Sequence, residues 1–90
     1  MTDHERFFQL LDNCPRISRL WDRNRKELNI EQLEKELKVM SSGEIHLAKF
    51  FAGIWLNHNK YGFDLIAAMD VLDANNRRLI ASWIKSPFFP

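Results

Sequence analysis

The sequence predicts an all-α fold, a compact single-domain bundle of five to six short helices around a central apolar helix. Three observations carry that expectation. Apolar residues recur at three- and four-residue spacing, which lines one face of a helix. Capping residues precede most of these stretches. No segment shows the sustained alternation with β-branched enrichment that marks a strand, so a sheet is not expected. At 90 residues the chain has room for one core, and its 46% apolar content argues against disorder. The domain reading is 1–90, with amphipathic charged helices over 1–40, apolar central and C-terminal helices over 41–86, and an aromatic tail over 87–90.

Thr2 and Glu5 have the spacing of a capping box, and Phe7, Leu10, Leu11 and Cys14 follow on one face. Pro15 interrupts this helix but suits the first turn of the next, with Asn13 placed to cap it. The second helix is expected to run to Leu28, with Ile17, Leu20, Trp21, Asn24 and Leu28 on one stripe and Arg16, Arg19, Arg23 and Lys26 on another. Asn29 and Gln32 form a further capping-box pair ahead of Ile30, Leu33, Leu37 and Met40. On its polar side, Glu31–Lys35 and Glu34–Lys38 have the favoured i,i+4 order, worth about 0.3–0.5 kcal/mol each.

Ser41 and Glu44 start the most apolar segment, where Leu47, Ala48, Phe51, Ile54 and Trp55 share a stripe and Ile45, Phe50, Ala52 and Leu56 cover its flanks. Only His46, Lys49, Gly53 and Asn57 leave a polar seam, so this helix is expected to be surrounded by the others. A polar connection over 57–62 ends in a turn glycine. Asp64 then caps a short helix bearing Leu65, Ile66, Met69 and Leu72. Asp73 opens the last helix, with Leu79, Ile80, Trp83 and Ile84 on its inner face and Pro87 beyond its end. The expected core is Trp21, Leu33, Leu37, Leu47, Phe51, Ile54, Trp55, Leu65, Leu79, Ile80 and Trp83. The three tryptophans, on three separate helices, are expected to meet or nearly meet.

The same residues narrow the function. A single Cys14 closes no intrachain disulfide, and a formal charge of +1 does not describe a surface that grips nucleic acid all over. The longest apolar run, Phe50 to Leu56, falls far short of the ~20 residues that span a bilayer. The start, Met1 to Arg6, lacks the pattern of a signal peptide, and a soluble cytoplasmic protein is expected. Cys14 has no nucleophile motif around it and reads as a small buried hydrophobe. His4, His46 and His58 are scattered, the last two about 18 Å apart along a continuous helix, and no zinc spacing results. Asp64, Asp70 and Asp73 lack the spacing of a calcium loop, and Gly43, Gly53 and Gly62 are isolated rather than grouped for phosphate. No metal, no cofactor and no catalytic residue is expected.

Binding is the remaining class. Residues 16–26 carry Arg16, Arg19, Arg23, Arg25 and Lys26 against Asp22 alone. The plainest role for these cations is an ion-pair network between helices or a solvated face. Arg16, Arg19, Arg23 and Lys26 are also the candidates for docking an acidic protein. The alternative is a weak nucleic-acid-binding regulator using the same face with Arg77 and Arg78. A helix-turn-helix is not expected, because the segment from Asp64 to Asp70 has no basic or amide side chain for base edges.

Phe7-Phe8, Phe50-Phe51 and Phe88-Phe89 are adjacent pairs, and helical neighbours point about 100° apart. Phe8, Phe88 and Phe89 are therefore candidate apolar anchors for a partner or a second copy in a homodimer. The tail is expected to fold back, since an exposed Phe-Phe is an aggregation liability. The expected function is a small helical protein-protein interaction module (adaptor, inhibitor or assembly factor) without catalysis.

Overall fold

Five of the six helices begin at a side chain that accepts a hydrogen bond from the first turn. The computed structural model describes residues 1–90, and its elements run α1 (Asp3–Leu11), α2 (Pro15–Ser18), β1 (Trp21–Asp22), β2 (Glu27–Leu28), α3 (Ile30–Glu36), α4 (Ser42–Leu56), α5 (Leu65–Val71) and α6 (Ala74–Lys85). The fold is a small all-α domain with one minimal β-ribbon. Thr2 and Ser41 form complete capping boxes with Glu5 and Glu44, while Asp64 and Asp73 cap α5 and α6. Asn29 caps α3 alone, because the Gln32 amide turns instead to Glu36 (3.0 Å). At the far end of α4, Asn57 adopts φ 51° and lets His58 N–H reach the Gly53 carbonyl (3.1 Å), a Schellman closure in which Asn replaces the usual Gly.

The long helix expected over 15–28 does not form. Asn13 does not cap α2; its amide bonds back to the Leu10 carbonyl (3.0 Å), and Cys14 opens α2 without a side-chain cap. After Ser18 the chain extends, and Trp21 pairs with Leu28 and Asp22 with Glu27 in an antiparallel ribbon. The cause is local. The Asp22 carboxylate accepts from Asn24 N–H and Arg25 N–H (both 3.0 Å), and Lys26 takes the left-handed conformation (φ 54°). Such a side-chain bond to the following backbone competes with helix. The apolar residues still turn inward: Ile17, Leu20 and Trp21 are buried and Leu28 is half-buried, whereas Asn24 is exposed.

The next helix is also shorter than its apolar stripe. α3 stops at Glu36, and a turn over 37–40 brings Met40 into the core. Glu31 pairs with Lys35 (3.4 Å), but Glu34 accepts from the Tyr61 hydroxyl (3.0 Å) rather than pairing with Lys38.

Twenty buried residues, all apolar, form one cluster. The radius of gyration of the whole chain, 12.1 Å, is that of a close-packed chain of this length, about 12 Å. Aromatic rings run through it in sequence. Trp21 meets Phe7 (5.5 Å), Phe7 meets Phe51 (5.8 Å), Phe51 meets Phe50 (5.4 Å), and Phe50 meets Trp83 (5.6 Å). Trp21 and Trp55 lie 6.2 Å apart, so two tryptophans meet while Trp83 joins them only through the phenylalanines. Of the expected core, Leu37, Trp55 and Trp83 are half-buried, and Leu65 is 41% exposed because the seven-residue α5 turns it to the edge of the core. No helix is long and apolar enough to cross a membrane.

Phe51→Ala, at the fully buried centre of the ring series, is expected to lower stability in urea by about 3–5 kcal/mol. Ser41→Ala, which removes only a cap, is expected to lower it by about 1 kcal/mol. Glu5 and Glu44 are held below the ordinary carboxylate range, Glu5 chiefly by the Thr2 backbone N–H and Glu44 chiefly by the Ser41 hydroxyl. A lowered folded pKa stabilises above the unfolded value and is lost as pH falls through the folded one. The urea midpoint is therefore expected to drop below about pH 4.3, and Glu5→Gln with Glu44→Gln to flatten that drop.

Candidate functional site

The sequence-predicted basic stripe is divided by the fold. Arg16 lies on α2 and Arg19 just beyond it, while Arg23 and Lys26 lie in the turn between β1 and β2. Arg16 reaches Glu44 (3.3 Å) and Glu36 (3.9 Å), and Arg19 shares Glu36 (3.2 Å). Arg23 pairs with Asp12 and lies over the Phe8 ring at 5.2 Å. These pairs tie α2 to α3 and α4, and the ribbon to α1. Each is half-exposed on its arginine side, a setting in which a pair contributes about 0.2–1 kcal/mol. Lys26 and Arg25 are exposed and make no ion pair. An acidic protein or a nucleic acid at this face would compete with three internal carboxylates.

The aromatic candidates separate in the same way. Phe8 is 8% exposed, packed on Phe7 (5.5 Å) and Trp55 (5.8 Å), and is core rather than anchor. Phe88 is 7% exposed beneath the Arg6 guanidinium (4.5 Å). Its carbonyl accepts from Trp83 Nε1 (3.0 Å), and the Ser86 carbonyl accepts from Arg6 (3.0 Å), so the tail is strapped back onto α6 and α1. Only Phe89 remains half-exposed, its ring edge-on to Trp83 at 5.6 Å.

The titratable groups have structural surroundings. Cys14 is buried, and its thiol is pushed up to about 11, first by desolvation and then by the Asp73 charge. His4 packs edge-on against Trp55 (5.6 Å). No three His, Cys, Asp or Glu side chains converge as metal ligands would. Two buried ring nitrogens, Trp21 Nε1 and His46 Nδ1, have no hydrogen-bond partner, and neither residue lines the groove described next.

An apolar groove of about 320 Å³ opens between α4, α5, α6 and the tail. Phe50, Gly53 and Ile54 come from α4, Asn59 and Phe63 from the loop, Leu65 from α5, Ile80, Trp83 and Ile84 from α6, and Phe89 from the tail. Phe50, Ile54 and Ile80 are buried and make the floor, whereas Leu65, Ile84 and Phe89 are 41%, 51% and 50% exposed and make the rim. The loop is held by Asn59, which accepts from Phe63 N–H (2.7 Å) and donates to the Phe63 carbonyl (3.2 Å) across Gly62 at φ 70°. Three other depressions are as large or larger, beside the ribbon (about 890 Å³), at the start of α1 (about 560 Å³) and between α1 and the tail (about 330 Å³), and all three are lined mainly by polar residues.

Sequence reasoning assigned Leu65 and Ile84 to inner helix faces and so missed the groove. The available signal was the aliphatic content of α5 and α6, which exceeds what two helices of seven and twelve residues can bury.

In the folded protein Cys14 is expected to resist thiol reagents at about pH 8, because the reactive thiolate is scarce there. Denaturant is expected to restore labelling at the rate of a free thiol; fast labelling without denaturant would contradict the burial. No protein-family model, no curated protein and no solved structure matches this chain.

Proposed function

We propose that this chain is a small helical protein-protein interaction module that acts by binding and not by catalysis, and that it docks apolar side chains of a partner protein in the groove between α4, α5 and α6. One observation carries the reading: a buried apolar floor ringed by Leu65, Ile84 and Phe89, each about half-exposed. Contiguous apolar surface of this kind is what partners cover, whereas scattered exposed side chains need no explanation. The volume lies at the lower end of ligand sites, on the order of 300–1,000 Å³, which suits protein side chains better than a large cofactor. Desolvated apolar pockets that take an anchor side chain are also where binding energy concentrates in interfaces. The adaptor, inhibitor or assembly-factor role expected of the sequence is kept; its contact surface moves from the arginine face to this groove.

The test is a titration of the isotope-labelled protein with indole as an aromatic probe. Saturable shifts are expected at the Leu65 and Ile84 methyl groups, and Ile84→Asp is expected to weaken binding at least about tenfold. Arg19→Glu with Arg23→Glu is expected to leave the titration unchanged. Shifts confined to the arginine face, or none at the groove, would refute the proposal.

A further inference from the structure

The tail is fastened at one residue and loose at the next. Pro87 and Pro90 carry no N–H, so this segment does not prolong α6 and is held by contacts from elsewhere in the fold. Three of these contacts meet around Phe88. The Arg6 guanidinium covers its ring (4.5 Å) and also donates to the Ser86 carbonyl (3.0 Å), while Trp83 Nε1 donates to the Phe88 carbonyl (3.0 Å). Beyond that carbonyl the hold is slight. Phe89 makes no backbone hydrogen bond, and its ring, half-exposed, has only the edge-on contact with Trp83 (5.6 Å) as an aromatic partner. That contact lies within the groove: Trp83 and Phe89 both line it, and neither Arg6 nor Phe88 does. The open volume of about 320 Å³ is thus space beside an aromatic ring that the chain supplies itself.

We infer that Phe89 is an autoinhibitory gate of the groove, resting on Trp83 where an aromatic anchor of a partner would rest and turning aside about the Phe88 carbonyl when one enters. The inference rests on the docking reading above and adds its regulation. A single edge-on ring pair shifts an equilibrium by about two- to tenfold, which an incoming ring can replace. A site open for part of the time binds with an affinity reduced by the open fraction. Phe88 stays in place, because its departure would expose a buried ring and break all three contacts at once. Arg6, on α1 and outside the groove, is the positioning residue: by clamping the tail at Phe88 it keeps Phe89 over Trp83.

The test titrates the whole chain with indole, read by the Leu65 and Ile84 methyl resonances, whose dispersion before ligand is added also shows that each variant is folded. Phe89→Ala is expected to tighten binding about two- to tenfold. Arg6→Gln, which removes the clamp without touching the groove, is expected to tighten it in the same direction and to add nothing when Phe89 is already alanine. Arg6→Lys, which keeps the charge but lacks the planar fork, takes its place should Arg6→Gln fail to fold. Weaker binding by Phe89→Ala makes the ring a fixed wall of the site and overturns the gate; unchanged binding overturns it too, and both outcomes leave the docking reading standing. An Arg6→Gln effect that persists in full in the Phe89→Ala protein reports a general loosening and likewise overturns the gate. Absence of saturable methyl shifts in the parent protein and in every variant overturns the docking reading along with it.

Discussion

Two adjacent phenylalanines on α4 hold the molecule together. Residues next to one another on a helix point about 100° apart, so Phe50 and Phe51 face different neighbours from a single turn of backbone. Phe51 is fully buried against Phe7, which carries the contact on to Trp21 and Trp55. Phe50 faces Phe63 and Trp83, which carry it to the loop, α6 and the tail. Edge-on and tilted rings at these separations add about 0.5–1.5 kcal/mol per pair to the area they bury. A chain this short has little else with which to offset its conformational entropy, since a small domain buries only about 60% of its unfolded surface.

The groove follows from the same arrangement. On the Phe51 side, α1, α2 and the ribbon close over α4 and leave Phe7, Leu11, Ile17 and Leu20 essentially without exposure. On the Phe50 side the cover comes from the seven residues of α5, the twelve of α6 and a strapped tail. These elements reach Ile54 and Ile80 but leave Leu65, Ile84 and Phe89 at the margin. One helix, apolar nearly all round, thus gives the molecule both its best-packed region and its least-covered one.

Arginine serves two ends here. Arg16, Arg19 and Arg23 join elements that are distant in sequence, and the exposed ends of their pairs keep the contribution of each small. Arg6 acts through its planar face and its donors together, lying over Phe88 while bonding the Ser86 carbonyl, which holds Phe89 beside Trp83. The cations of α6 have no such carboxylate. The difference lies in the neighbours: α3, α4 and α1 supply Glu36, Glu44 and Asp12, whereas α6 and the tail hold no acidic side chain.

Local chemistry was legible in the sequence wherever a residue acts on its own helix. The caps at Thr2, Asn29, Ser41, Asp64 and Asp73, the break at Pro15 and the apolar α4 each depend on contacts within a few positions. The ribbon was not legible, because Ile17, Leu20, Trp21 and Leu28 satisfy a helical period as well as they satisfy a hairpin. The choice falls to the Asp22 carboxylate and its two backbone donors. Which phenylalanine is hidden, and which arginine is paired, depends on what another element brings opposite it. Periodicity tells which way a side chain leaves its own backbone, but only packing decides whether anything waits there. Phe8 and Phe88 found cover, Leu65 and Ile84 did not, and the groove is the space between those outcomes.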